Sequence, residues 1–118
     1  ARSGVDGVYT ATQASRGELT YLQECASCHS ETLAGLEANP PLVGETFLRR
    51  LAGRPVSELF EKISRSMPQD APGRLSRQQY ADVLSYMLSV NKVFSAGSRE
   101  LPGDSEALTQ IVFDKDLR

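Results

Sequence analysis

Cys25-Ala26-Ser27-Cys28-His29 holds both cysteines and the only histidine of the 118-residue chain. A C-x-x-C-H run is the attachment pattern of a c-type haem. The chemistry accounts for each letter. Two thiols add to the two vinyl groups of one porphyrin only if they project from the same side of a short turn, and two intervening residues supply that span. A histidine directly after the second cysteine then lies beneath the ring, placed to bind iron through its imidazole. Three other uses of C-x-x-C are a thioredoxin-like redox pair, a structural disulfide and half of a zinc site. Zinc fails for want of a second ligand pair, because no cysteine or histidine is left over. A thioredoxin-like pair needs a βαβ context, and the periodicity of the chain offers none. The motif therefore predicts one haem c, bound covalently through Cys25 and Cys28, with His29 on the metal.

Outward from the motif, the length fits one domain, and a covalent haem would add a large apolar centre to a small core. A hydrophobic fraction of 40% with 24% charged residues suits a globular chain in water. A net charge of −2 argues against nucleic acid as a partner. No apolar run approaches the ~18–20 residues that span a bilayer, so no transmembrane segment is predicted. Thioether attachment implies assembly outside the cytoplasm. The expected location is the bacterial periplasm, with a secretory leader removed before Ala1.

Residues 1–11 read as an N-terminal arm pinned by Val8 and Tyr9. A helix is expected from about Thr12, capped by Thr12 or Ser15, with Ser15-x-x-Glu18 at capping-box spacing. Leu19, Leu22 and Ala26 share one face of it, with Tyr21 and Cys25 alongside. The breakers Gly35, Asn39-Pro40-Pro41 and Gly44 mark a loop after His29. A helical turn follows over Phe47–Leu51, then a helix over about Val56–Ser64 opened by Pro55. Ser66-Met67-Pro68 ends that pattern. Ser76 and Gln79 form a capping box for the clearest helix, about Arg77–Val90, whose Tyr80, Val83, Leu84, Met87 and Leu88 fall on one stripe, with Asn91 as C-cap. The predicted cytochrome unit runs over residues 12–101. The tail, 102–118, has one turn capped by Asp104 and an Ile111-Val112-Phe113 run, and is expected to pack on the domain or on a partner.

The other face of the iron decides what the haem does. An open face permits ligand binding or catalysis, whereas a second strong ligand leaves electron transfer. With no second histidine, the choice falls on two methionines. Met87 lies in the helix stripe and reads as core filler. Met67 ends a helix and precedes Pro68, which drives it toward extended geometry and lets its thioether reach out of the loop. Met67 is the predicted sixth ligand. A thioether is soft, favours Fe(II) and raises the potential.

The chain resembles the class I cytochromes c, the small His/Met type. Gly17-x-x-x-Tyr21-x-x-x-Cys25 resembles the family's first helix, where a glycine allows close crossing by the last helix. Tyr86 matches an aromatic on that last helix, Pro40-Pro41-Leu42 a Pro-x-Leu element, and Met67-Pro68 the axial-ligand motif. The resemblance implies an all-α fold with N- and C-terminal helices crossing and loops wrapped around one haem. It implies that the Pro40 carbonyl accepts the Nδ1–H of His29, so that Nε2 meets the iron, and that Leu42 lies against the cofactor. Relatives often carry a tryptophan near Leu51, close to a propionate. This chain has none, which leaves Arg49, Arg50 and Arg54 as candidate propionate partners.

The wider pattern, Tyr9-Thr10-x-x-Gln13-Ala14 in front and Asn91 through Ala96-Gly97-x-x-Glu100-Leu101 behind, is similar to cytochrome subunits of periplasmic dehydrogenases. The expected role is single-electron transfer from a dehydrogenase donor to an oxidase or cytochrome acceptor of a respiratory chain. No catalytic residue is expected. The alternative is a haem enzyme or gas sensor with a labile sixth ligand. Residues 45–77 hold seven basic and four acidic side chains, against six and eleven elsewhere. A partner with an acidic docking face follows if that basic segment borders the haem edge.

Overall fold

The structure, a computed structural model, describes residues 7–30, 32–35, 41–68 and 71–116, with Ser27 and Cys28 as backbone only. In chain order the elements are β1 (Gly7–Tyr9), α1 (Ala11–Glu24), α2 (Ala26–His29), α3 (Glu45–Leu51), α4 (Val56–Ser66), α5 (Arg77–Val90), β2 (Ser95–Ala96) and α6 (Ser105–Leu108). Among the described residues the fold is all-α apart from one pair of very short strands and an isolated bridge between Pro55 and Val112, and it is built on the crossing of α1 and α5.

Gly17 makes that crossing possible. A Cβ built on it would lie 1.8 Å from the Asp82 carbonyl oxygen, so only a residue without a side chain lets the two backbones approach so closely. The same contact fixes the rotation of α1. Its buried residues are Gln13, Ala14, Gly17 and Tyr21. The face shared by Leu19 and Leu22 is turned to solvent, the two being 65% and 44% exposed. Those two leucines lie roughly 200° and 140° around the helix from Gly17, and the glycine side docks because it alone allows the approach. The helix also begins earlier than expected. Thr10, rather than Thr12 or Ser15, is the N-cap, its side chain accepting from Gln13 N at 3.0 Å.

The α5 helix matches its sequence closely, from the Ser76/Gln79 capping box to Asn91 at the C-terminus. It is buried over most of its surface rather than along one stripe. Asp82 and Ser85 are buried as fully as Tyr80, Val83 and Leu84, because α1 covers one side and a cavity opens on the other. Asn91 also reaches the loop after the haem motif, donating from Nδ2 to Leu42 O at 3.0 Å and accepting from Gly44 N at 3.3 Å.

The strands β1 and β2 pair in parallel, Gly7 beside Ser95 and Tyr9 beside Ala96. Nothing in the local sequence announced this pairing. It leads into a polar lock on α1. The Gln13 amide, fully buried, donates to Leu101 O at 2.8 Å and accepts from Leu101 N at 2.6 Å. Next to it Arg16 pairs with Asp82 at 3.0 Å and with Glu100 at 2.7 Å. The front and rear segments that resemble dehydrogenase-associated cytochromes are thus joined in space by this lock.

After α6, whose N-cap Asp104 accepts from Glu106 N, the chain returns to α4. Val56 N donates to Ile111 O at 2.8 Å and Phe113 N to Arg54 O at 2.9 Å. Leu108, Ile111 and Phe113 enter the core, and Phe113 stacks on Phe94 at 5.5 Å.

The hydrogen bonds from Arg16 hold the Glu100 carboxyl below its ordinary value of 4.5. A depressed folded pKa stabilises the fold fully above 4.5 and loses that contribution as pH falls through the lower folded value. Both groups are about two-fifths exposed, so the contribution is small, about 0.5–1 kcal/mol. Urea unfolding of Glu100→Gln should show that deficit at pH 7, and the two proteins should converge in stability as the pH is lowered below 4.5.

Candidate haem cavity

Tyr21 sets up the site from the α1 side. Its ring is fully buried against Tyr86, centroids 5.5 Å apart, and its hydroxyl donates to Ser30 O at 2.7 Å. Burial pushes the Tyr21 phenol well above its ordinary value, so it remains a protonated donor through the neutral range. That bond pins the far end of the haem motif to the helix that delivers it. Between the two points the motif continues as α2. Cys25 N donates to Tyr21 O at 2.8 Å and His29 N to Cys25 O at 3.0 Å. His29 is buried, and its carbonyl accepts from Gly35 N at 2.9 Å, turning the following loop back.

Cys25 and His29 open into a cavity of ≈780 Å³. A volume of that size lies within the ~300–1,000 Å³ usual for cofactor pockets. One wall is α5, through Tyr80, Val83 and Met87, and another is α4, through Leu59 and Ile63. Phe47 and Leu51 from α3 and Pro41 and Leu42 from the preceding loop complete the apolar lining. Met67 enters from the segment after α4, half-buried and in extended geometry, its N–H donating to Ile63 O at 3.0 Å. An imidazole, a thiol and a thioether thus share one largely apolar chamber. That donor set and that volume fit a haem c.

Charge gathers at the rim. Of the three arginines considered for the propionates, Arg50 and Arg54 line the cavity and Arg49 does not. It is 69% exposed and pairs along α3 with Glu45. Two further cations were not anticipated at the rim, Lys62 from α4 and Arg74 from the segment before α5. Their positions follow from tertiary packing, which no local spacing reveals. Arg54 pairs with Glu58 at 2.8 Å, and Arg74 pairs with Glu24, next to the haem motif. Among the described residues Arg50 and Lys62 have no ion pair, which leaves their charge available to an anionic group.

Met87 is a core residue, 2% exposed, as its stripe implied, and it also faces the cavity. Pro40, the expected acceptor for His29, lies outside the described residues, as does the side chain of Cys28.

The model of cytochrome C oxidase, cbb3-type, subunit III matches residues 12–87. That stretch runs from α1 through the haem motif and Met67 into the last turn of α5. No curated protein matches the chain. Among solved structures, the sulfane dehydrogenase SoxCD from Paracoccus pantotrophus superposes with a TM-score of 0.61 at 23% identity, over 93% of this chain and 54% of that one. The chain therefore spans about half the length of that neighbour, which shares its fold. Because the family match covers well over half of the sequence, the chain belongs to the cytochrome c family of cbb3-type subunit III, with a class I, c-type fold and a role in haem-based electron transfer.

Proposed function

We propose that the chain carries single electrons through one haem c, bound covalently by Cys25 and Cys28, with His29 and Met67 as axial ligands. The observation that carries this reading is that Cys25, His29 and Met67 line one cavity whose walls are otherwise mostly apolar. When bound, haem supplies a one-electron couple whose potential the axial ligands tune. The residues of the chain do the rest. His29, buried on a turn whose backbone is tied by the Tyr21 hydroxyl at Ser30 O and by Gly35 N at His29 O, would offer a nitrogen ligand. Met67 would offer a thioether as the second protein ligand to such a group, leaving it suited to passing electrons rather than binding substrate. Arg50 and Lys62, which line the cavity and have no ion pair among the described residues, would receive carboxylate groups of the cofactor. Arg54 is a third candidate, shared with Glu58.

The donor is proposed to be a periplasmic dehydrogenase and the acceptor an oxidase or another cytochrome. The fold shared with SoxCD supports this assignment, as does the joining of the front and rear segments named above. Among the described residues no helix is long and apolar enough to cross a membrane. Four of the seven basic side chains of residues 45–77 are paired with acids of the same segment, Arg49 with Glu45, Arg54 with Glu58, and Arg65 and Arg77 with Glu61. Electrostatic docking therefore falls chiefly to the rim cations beside the cavity.

The test is spectroscopic. Haem should remain with the protein after acid–acetone extraction. The ferric protein should show a weak band near ~695 nm, the mark of iron bound to a methionine thioether. Met67→Ala should lose the band entirely and bind carbon monoxide rapidly in the ferrous state, while Met87→Leu keeps the band. A wild-type protein without the band that binds carbon monoxide as fast as Met67→Ala would instead support a haem enzyme or gas sensor.

A further inference from the structure

Among its described residues, the segment that carries Met67 has few internal bonds of its own. Ala71 N donates to Pro68 O, Gly73 N reaches Met67 O at 3.4 Å and Arg74 N reaches Ala71 O at 3.2 Å. The stronger ties come from outside it. Tyr80, on the first turn of α5 and only 3% exposed, donates its hydroxyl proton to Met67 O at 2.6 Å. The Tyr80 hydroxyl oxygen in turn accepts from Leu75 N at 3.4 Å. One hydroxyl thus touches both ends of the Met67–Leu75 segment, while its ring lines the cavity. At the surface, Arg74 pairs with Glu24, the residue immediately before Cys25. The segment is fastened to α5 on the inside and to α1 on the outside, and those are the two helices that cross at Gly17.

We propose that Tyr80 is the positioning residue for the sixth ligand, with the Glu24–Arg74 pair as a second fastener. How firmly Met67 is kept at the iron is then set by α5 and α1 rather than by the loop that bears it. This rests on the reading of Met67 as an axial ligand. The hydroxyl fixes the Met67 carbonyl, hence the peptide from which the side chain departs. The ion pair limits how far the rest of the segment can swing away. Releasing either one lets the thioether leave more often without altering the helices or the covalent attachment of the cofactor.

The experiment uses the full, haem-loaded chain in the ferric state and follows the rate at which added imidazole displaces the sixth ligand, by stopped-flow absorbance. Met67→Ala sets the rate of an open site. Tyr80→Phe keeps the ring that fills the wall and removes only the hydroxyl, and it should bind imidazole about tenfold faster than wild type, the scale of one lost buried hydrogen bond. Its far-UV circular dichroism and haem content should match wild type. Glu24→Gln should be about twofold faster, as for a partly exposed ion pair. Added salt should speed the wild type and leave Glu24→Gln unaffected. Reversing the pair, Glu24→Arg with Arg74→Glu, should restore the wild-type rate.

If Tyr80→Phe and Glu24→Gln both react at the wild-type rate while Met67→Ala is faster, the positioning role is overturned and methionine ligation stands. If Met67→Ala itself reacts at the wild-type rate, ligation falls and the positioning role falls with it. Should Tyr80→Phe fail to fold, the Glu24 and Arg74 variants decide the matter, a wild-type rate in Glu24→Gln overturning the proposal.

Discussion

Gly17→Ala is expected to cost about 3 kcal/mol or more of stability, the upper part of the range for forcing extra atoms into a packed interior. The added methyl carbon would sit 1.8 Å from the Asp82 carbonyl oxygen and 2.4 Å from its carbon. Those are backbone atoms in the middle of a helix, so no rotamer change relieves the overlap. The two helices must separate, and the separation loosens everything the crossing supports. These include the Gln13 and Arg16 bonds on one side of α5 and the cavity wall of Tyr80, Val83 and Met87 on the other. Urea unfolding should show a markedly lower midpoint with little change in slope, the sign of lost stability rather than of altered compactness. A midpoint indistinguishable from wild type would mean that the helices do not cross at Gly17. Gly103, whose added Cβ would meet the Arg77 backbone at 2.8 Å, lies at the edge of the fold and should be less sensitive.

The second large effect is expected at Gln13. Gln13→Leu preserves bulk but strips both partners from the Leu101 backbone, whose N–H and C=O are bound to the Gln13 amide in a fully buried place. Each buried group left without a partner costs about 1–3 kcal/mol, so the loss should be about 2–5 kcal/mol. Its character should differ from that of Gly17→Ala. Segment 95–101 has other ties to the body, such as Gly97 N to Tyr9 O at 2.7 Å and Glu100 to Arg16, and these should weaken together as a local unit. Hydrogen exchange is the suitable measurement. The amides of Gly97 and Leu101 should lose protection far more than those in the middle of α5. Equal loss everywhere would show that the lock supports the whole fold rather than its rear segment.

How much of this could be read in the residues depends on the range of the interaction concerned. The α5 helix was legible to within a residue because its signals are local: a capping box at Ser76 and Gln79 and an apolar stripe between them. The haem motif was legible because its chemistry fixes its spacing. Met67 stood out through scarcity, as one of two methionines and the one before a proline. The rotation of α1 is not legible in hydropathy, because leucines outweigh a glycine on any such scale, whereas close approach of two backbones outweighs both. Gly17 belongs to the family pattern, and its contact with α5 is what turns Leu19 and Leu22 outward. The pairing of β1 with β2 joins residues almost a chain length apart through three residues and two, too few to leave an alternating pattern. Arg49 and Arg50 were indistinguishable as neighbours until α3 was in place; a helical step of about 100° then separated the one that turns to Glu45 from the one that faces the cavity. Lys62 and Arg74 reach the rim by tertiary packing alone.

The contact between Gly17 and Asp82 also has an entropic side. It closes a loop that contains the haem motif, Met67 and most of the cavity wall. The cost of closing such a loop grows only with the logarithm of its length, so doubling it adds only about 0.6 kcal/mol. The stretch between the motif and α3 can therefore lengthen or shorten at little cost in closure entropy while the crossing holds. The geometry of the helix crossing is unforgiving to one methyl group, yet it tolerates a change in the length of that loop. Variation can accumulate there without disturbing the crossing beside the cofactor cavity.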